Sequence, residues 1–568
     1  MRSSTRQLWI TLLFAVCLFA VYGRALSFGF VAYDDPAFIV DNPYVKEGLS
    51  TDGLKFALLY LQNGSAIHPG VMNLWHPATW ISWMIDAQFQ IGGSVFHLTN
   101  LLLHLSSCCL LFALLRKLGA HAYWAAVGTL LWAVHPIVVE PVVWASARKD
   151  VLSTAAALGC LVAYLKGRNE FSLWRTVSLV CMVIAVAAKP NTVILPGLLV
   201  GLDLFFIKLR RSLQWKDLWE SLLAKKAYLL IAILGVVATL GLQYSGTHSE
   251  FVSSFPLQQR LALVPAQVGF YLQRLVLPFG LSIDYPFPGG LRNSVYSLAG
   301  GLVLVVLGVA LRRGFTSEKQ GPAVGLAALW IILAYLPVSG LAYVGTSFTA
   351  DRYAYFPLIG LVLLLVLSLP ASLGQRGWLR SIGAVLVLVL GAMSFFRVGV
   401  WRNTETLFTA AIENQPRSAL AQGNFGVVMM KKGELDLAKE AFQRALTLNP
   451  KDYIVSRNLA EVLQRSGDRE GALKSLQQSV KHHPGFARGW FALAELNYQM
   501  ERFADAQQAA LKASELSPVG QTQSLWLALS ATERLGDRDQ LRRIAARLDE
   551  RKDLRTEQRR IVNNLLGR

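Results

Sequence analysis

The chain has 568 residues, 53% of them hydrophobic and 16% charged, with a formal net charge of +19. An ordinary soluble domain carries roughly a quarter charged residues, so the composition excludes a soluble globular protein. The five cysteines, Cys17, Cys108, Cys109, Cys160 and Cys181, all lie in apolar runs, where they read as small buried hydrophobes and not as a disulfide framework or a metal site.

Apolar runs near the roughly 20 residues that cross a bilayer recur before the C-terminal third. The first, 8–21, is followed by "YGRALSFGF" without a small-residue cleavage site, as in a retained anchor. Spans are predicted near 8–28, 96–115, 121–139, 151–166, 172–189, 191–207, 227–244, 295–311, 322–341, 353–370 and 380–397, about 11 in all. The segment 261–280 is apolar but holds Gln267, Gln273 and Arg274, and is predicted to be interfacial or re-entrant. With these spans, Arg2 and Arg6, Arg116 and Lys117, Lys166 and Arg168, the stretch 208–226, Arg312 and Arg313, and Arg376 and Arg380 fall on one side. Excess Lys and Arg mark the cytoplasmic side, so the positive charge sets orientation and implies no nucleic-acid partner. An odd span count then puts the C-terminal tail on the opposite side.

That opposite side collects the polar segments. They are the first outer loop 29–95, with "FVAYDDPAFIV" at its start, then "HPIVVEPVVWASARKD" (135–150), "AAKPN" (187–191), "LSIDYPFP" (281–288) and "SFTADRYAYFP" (347–357). Asp34 and Asp35 before Pro36 could simply start a helix. Glu140, Arg148, Asp150, Lys189, Asp284, Asp351 and Arg352 stand at neighbouring ends, however, and ionisable groups near membrane depth usually face a cavity and mark function. A carboxylate to take a proton and cations to neutralise a leaving phosphate are what group transfer from a lipid phosphate needs. His135, before Pro136, fits a turn residue, and His68 and His76 fit solvated or interfacial positions.

In the tail, Pro416, Pro450, Pro484 and Pro518 recur every 34 residues, the period of tetratricopeptide repeats. Gly426 falls where two helices must approach. Ala438, Ala445, Ala460, Ala472, Ala494, Ala506 and Ala513 supply small packing positions, and Gly433 and Gly467 mark turns. Such arrays present concave surfaces that hold peptides or proteins. The expected architecture is all-α: a membrane bundle over 1–400 and a repeat solenoid over 401–568.

The segments "FVAYDDPAFIVDNP", "NLWHPATWISWMIDAQF", "HPIVVEPVVWASARKDVLS", "AAKPNTVILPGLLVGLD" and "TADRYAYFP", in this order, resemble the transmembrane and tetratricopeptide-repeat O-mannosyltransferases and their bacterial relatives. The resemblance implies a GT-C fold and inverting transfer of a sugar from a polyprenyl- or dolichyl-phosphate donor to Ser or Thr hydroxyls of a protein outside the cytoplasm. That places the protein in a bacterial inner membrane with periplasmic repeats, or in an endoplasmic-reticulum membrane with lumenal ones. It makes Asp34 or Asp35 the base and Glu140 the acid of the second outer loop. Arg352, Lys189 and Arg148 would hold the donor phosphate, with His76, Asp351, Tyr355 and Asp284 around the acceptor or pocket. Pro190 stands where the family usually has Glu, and His76 where animal members tend to have Arg. Acids clustered with few histidines are also compatible with Mg²⁺ or Mn²⁺. The alternatives are a non-catalytic membrane scaffold displaying the repeats and a lipid-linked glycan transporter.

Overall fold

A computed structural model describes residues 2–59, 75–89, 92–168, 173–244, 256–316, 321–341, 347–369, 374–517, 520–551 and 553–567. His68 and Pro518 lie outside them. The chain divides into two compact units, Met1–Ala410 and Ala411–Arg568. Both are helical, and a single antiparallel bridge, Tyr285 to Thr349, is the only β pairing among the described residues.

Six helices in the first unit are long and apolar enough to cross a membrane: 7–27, 93–117, 190–208, 290–314, 321–338 and 377–402. Two bent pairs raise the number to at most eight, fewer than the eleven expected. The difference lies in three helices. Arg148–Lys166 begins with three charged residues and is buried along most of its length. Leu173–Ala188 has 16 residues and Leu358–Leu367 only 10. At about 1.5 Å per residue the last covers roughly half of a 30 Å hydrocarbon core. Leu257–Val276, expected at the interface, is a 20-residue helix with Pro265 inside it and is not among the candidate spans. Its side chains hold a neighbouring loop: Gln267 Nε2 donates to the Phe348 carbonyl at 2.7 Å and Tyr271 Oη to that of Ala350 at 2.7 Å.

One break matters most for the site. Ala122–Ala133 and Pro136–Val143 form a pair bent by 57°. Pro136 has no N–H to give, so the helix cannot continue through it. Carbonyls freed within an apolar bundle must find donors, and they come from three other helices. Tyr22 Oη donates to Ala133 O at 2.7 Å, His104 Nε2 lies 3.1 Å from the same oxygen, and Ser394 Oγ donates to Val134 O at 2.7 Å. The turn residue His135 caps the next segment, its Nδ1 accepting from Ile137 N–H at 3.2 Å.

The polar residues gather at the two ends of the bundle. At one end Asp203 accepts from Lys225 (2.5 Å), Ser221 (2.8 Å) and Tyr164 (2.9 Å), with Arg168 at 3.5 Å. Lys225, Ser221 and Arg168 belong to the basic stretches assigned to the cytoplasm, and Asp203 and Tyr164 to the adjoining helices Leu195–Lys208 and Arg148–Lys166. At the other end the outer-loop segments meet.

In the second unit the helix pairs Ala419–Lys432 with Leu435–Leu448, Tyr453–Arg465 with Arg469–His482 and Ala487–Gln499 with Phe503–Leu516 repeat in register. The seven alanines of the periodic pattern are all buried. A Cβ on Gly426 would stand 2.7 Å from the Phe442 ring, which is why that position is Gly. Gly433 (φ 84°) and Gly467 (φ 87°) end the first helices in left-handed conformation, and at the equivalent third position Glu501 holds φ 61°. That conformation costs a non-glycine residue roughly 1–2 kcal/mol.

The crossing of Leu257–Val276 with Gly290–Thr316 leaves no room for side chains: a Cβ on Gly300 would lie 1.8 Å from the Pro265 carbonyl, whereas one on Gly301 meets nothing within 4 Å. Gly300→Ala should therefore lower the melting temperature of the detergent-purified protein, by a loss of roughly 1–3 kcal/mol, while Gly301→Ala leaves it unchanged. Equal behaviour of the two would contradict this packing.

Candidate functional site

The turn after the first helix carries the acidic pair, and its two members have different surroundings. Asp35 is 1% exposed. Its Oδ2 accepts from Val31 N–H at 2.9 Å, and its Oδ1 from Ser146 N–H at 3.0 Å and from the Ser146 hydroxyl. Burial pushes this carboxyl up to about 6, with the hydrogen bonds from Ser146 and Val31 working the other way. Asp35 is thus a clamp between the first loop and the segment after Glu140. Asp34 is half-buried, and its carboxylate makes no hydrogen bond or ion pair among the described residues.

Asp34 bears electrostatically on Lys149, the second residue of Arg148–Lys166, which lies outside the candidate spans. Its ammonium sits 5.4 Å from the centre of the Phe38 ring. Burial lowers its pKa to about 8, with Asp34 the strongest opposing influence and Arg352 and Lys189 adding to the fall. Lys149 was not among the residues picked from sequence. It lies between two charged neighbours, and helical geometry turns adjacent residues about 100° apart, so Arg148 and Lys149 cannot share a face.

Arg148 takes the other direction. It is fully buried and donates to Asp86 Oδ2 (2.6 Å), Phe96 O (2.8 Å), Ser82 Oγ (2.7 Å) and Asn100 Oδ1. It ties the loop helix Pro77–Phe89 to Gly93–Lys117 and Arg148–Lys166. A guanidinium so engaged does not fit the expected phosphate role.

Beyond the 57° bend, Glu140 is fully buried and meets Arg352 Nη1 at 2.6 Å; its Oε2 has no partner among the described residues. Arg352 is 18% exposed and lies over the Trp144 and Tyr353 rings, 5.3 Å from each centroid. Its guanidinium makes no other hydrogen bond among the described residues, which leaves donors for an incoming anion. Lys189 pairs with Asp150 Oδ1 and lies 5.6 Å over the Tyr353 ring. Arg352, Tyr353, Asp150, Ser153, Thr154 and Asn191 line one narrow cleft. His76 comes within electrostatic reach of Lys149 and Lys189; burial first, then these two cations, lower its pKa, and its Nδ1 is buried without a partner among the described residues.

The remaining predicted residues are engaged elsewhere. Asp351 is fully buried, accepting from Tyr285 Oη and from Arg397 Nη2, both at 2.6 Å, and burial raises its pKa. Tyr355 borders the cleft, but its hydroxyl meets His104 Nδ1 at 2.7 Å inside the bundle. Asp284 accepts from Ser347 Oγ and bears electrostatically on Tyr33. Neither Asp351 nor Tyr355 presents a polar atom suited to an acceptor.

Among the described residues no three His, Cys, Asp or Glu side chains stand together as ligands, and Glu140 and Asp150 already face cations. Two ion pairs plus the unpaired Asp34 and Lys149 make a site that can take a proton with one group and neutralise an anion with others.

An all-α chain with six to eight candidate membrane helices, polar residues clustered at the bundle ends and a repeat array defines a polytopic membrane protein with a tetratricopeptide-repeat tail. The tetratricopeptide-repeat family matches residues 390–453 and 457–531. The chain is similar to animal proteins named protein O-mannosyl-transferases. It is 23% identical to Tmtc3 of Drosophila melanogaster over 453 residues, 66% of this chain and 49% of that protein. It is 21% identical to human TMTC3 over 606 residues, 89% of this chain and 64% of that one, and 22% identical to human TMTC2 over 470 residues, 67% and 55%. The chain therefore spans about half to two thirds of the length of these curated relatives. Among solved structures, a crystal structure of MamA protein matches at 17% identity over 26% of this chain and 80% of that one, with a TM-score of 0.24, too slight to bear on the fold.

The unequal surroundings of the acidic pair predict unequal costs. Asp35→Ala strands two backbone N–H groups and a hydroxyl, a loss on the order of 3 kcal/mol. The melting temperature should fall for Asp35→Ala and hold for Asp34→Asn. The reverse order would contradict the assignment of Asp35 as the clamp.

Proposed function

We propose that this protein is a membrane glycosyltransferase that moves a sugar from a polyprenyl- or dolichyl-phosphate donor to a Ser or Thr hydroxyl of a protein on the non-cytoplasmic side. The observation that carries this reading is the half-buried Asp34 carboxylate, without a hydrogen bond or ion pair among the described residues and within electrostatic reach of Lys149, which in turn feels Arg352 of the narrow cleft. The names of the similar animal proteins support transfer to protein.

Asp34 takes the acceptor hydroxyl's proton as its oxygen bonds to the anomeric carbon. The bond from that carbon to the phosphate oxygen breaks with inversion, and the polyprenyl phosphate leaves with the electron pair. Its growing charge is met by Lys149 and by the free donors of Arg352. Arginine suits phosphate because its planar fork can donate two parallel hydrogen bonds. Glu140 holds Arg352 from behind and Lys189 stays with Asp150, so the phosphate's contacts are in place before the donor arrives. Such preorganised charge is commonly the largest contribution to catalysis. The repeats hold the acceptor segment, the usual task of such an array.

Removing a positioned base typically costs about 10²–10⁴-fold. Asp34→Asn should therefore lower the transfer rate by about that factor, measured with a panel of polyprenyl-phosphate sugars and intact-mass analysis of co-purified acceptor proteins, with the fold retained. Normal transfer by this variant would favour a non-catalytic scaffold. Lys149 offers a pH test. An ammonium with a pKa of about 8 is charged below that pH and neutral above it, so donor affinity should weaken as pH rises through about 8. Lys149→Arg, which keeps its charge, should remove that weakening; a fall of the same size in this variant would contradict the role of Lys149.

A further inference from the structure

The cleft beside Arg352 holds polar atoms that neither the proton transfer nor the phosphate uses. Asp150 is 4% exposed, and its Oδ1 is taken by Lys189. Its Oδ2 is buried with no hydrogen-bond partner among the described residues, and so is Oδ1 of Asn191. Both residues line the cleft. A buried acceptor left without a donor costs roughly 1–3 kcal/mol, so such atoms call for a ligand or an ordered water. Phosphate oxygens are acceptors too and cannot satisfy them. Hydroxyl groups can.

The two side chains are also held in place. The Lys189 ion pair fixes one oxygen of the Asp150 carboxylate and so aims the other. Asn191 sits in the short turn Pro190–Ile194, where Thr192 Oγ1 donates to Lys189 O at 2.9 Å; the turn starts two residues after Ala188, whose carbonyl accepts from Thr79 Oγ1 at 3.0 Å. Arg352 joins the phosphate contacts to this pair across one cleft. The cleft has room for about one water-sized group, roughly 10 Å³, so a single ring hydroxyl, and not the ring, can enter it while an adjoining phosphate meets the cations outside.

We propose that Asp150 and Asn191 read a ring hydroxyl of the transferred sugar, and so set which sugar the protein accepts. This rests on the glycosyltransferase reading and adds the residues that recognise the sugar. A site built around hydroxyls discriminates strongly because a ligand lacking them leaves its buried acceptors unpaired.

The test uses the full chain in lipid nanodiscs and compares bare polyprenyl phosphate with polyprenyl-phosphate mannose and its glucose and galactose epimers. The gain in affinity from adding the preferred sugar to the bare lipid is the quantity that decides. In Asn191→Ala this gain should fall by about tenfold or more, with binding of the bare lipid retained; in Asp150→Asn, which also loosens the Lys189 ion pair, the gain should fall as well. In Arg352→Ala the bare lipid itself should bind more weakly. A gain unchanged in Asn191→Ala overturns the proposal, even where Asp150→Asn fails to fold, and means that water alone satisfies these atoms. A wild-type protein that binds neither form of the lipid overturns the glycosyltransferase reading and this proposal with it.

Discussion

The site depends on the break at Pro136. An unbroken helix through this point would carry Glu140 along its own axis and away from Arg352. The bend instead turns the following segment so that a fully buried carboxylate meets the guanidinium at 2.6 Å. The break has a cost, since it frees carbonyls where no water can reach them. Tyr22, His104 and Ser394 meet that cost from three separate helices. The geometry of the outer end is therefore locked by hydrogen bonds inside the bundle.

Around this anchor the charges fall into two kinds. Arg148 with Asp86, Lys189 with Asp150, Arg397 with Asp351 and Arg352 with Glu140 are pairs. Desolvating such ions costs several kcal/mol each, which only close pairing and added hydrogen bonds recover. These contacts shape the end of the bundle. Asp34 and Lys149 stand outside the pairing, and Arg352 has donors to spare. Chemistry is assigned to the groups the fold leaves unspent.

Much of this organisation was legible in the sequence. Four prolines at a spacing of 34 and the alanines between them mark the repeats. Acids and bases at the ends of separate apolar runs mark the cluster, and Glu140 and Arg352, 212 residues apart, do meet. Other features were not legible, for physical reasons. Asp34 and Asp35 have the same chemistry and adjacent positions, and only the tertiary contact with Ser146 tells the clamp from the free carboxylate. The neighbours Arg148 and Lys149 divide in the same way, because a helix turns them to different surroundings. The eleven expected spans and the six to eight candidates differ because hydropathy alone marks apolar runs that fold into helices too short or too charged to meet the length and composition of a span. Arg148–Lys166, which opens on three charged residues, is one such helix.

The most direct test is a structure of the protein with a non-hydrolysable polyprenyl-phosphate sugar bound. The account predicts phosphate density between Lys149 and Arg352, with the anomeric carbon facing Asp34. Phosphate at the opposite end of the bundle, beside Lys225 and Arg168, or an Asp34 turned away from the ligand into solvent, would contradict it.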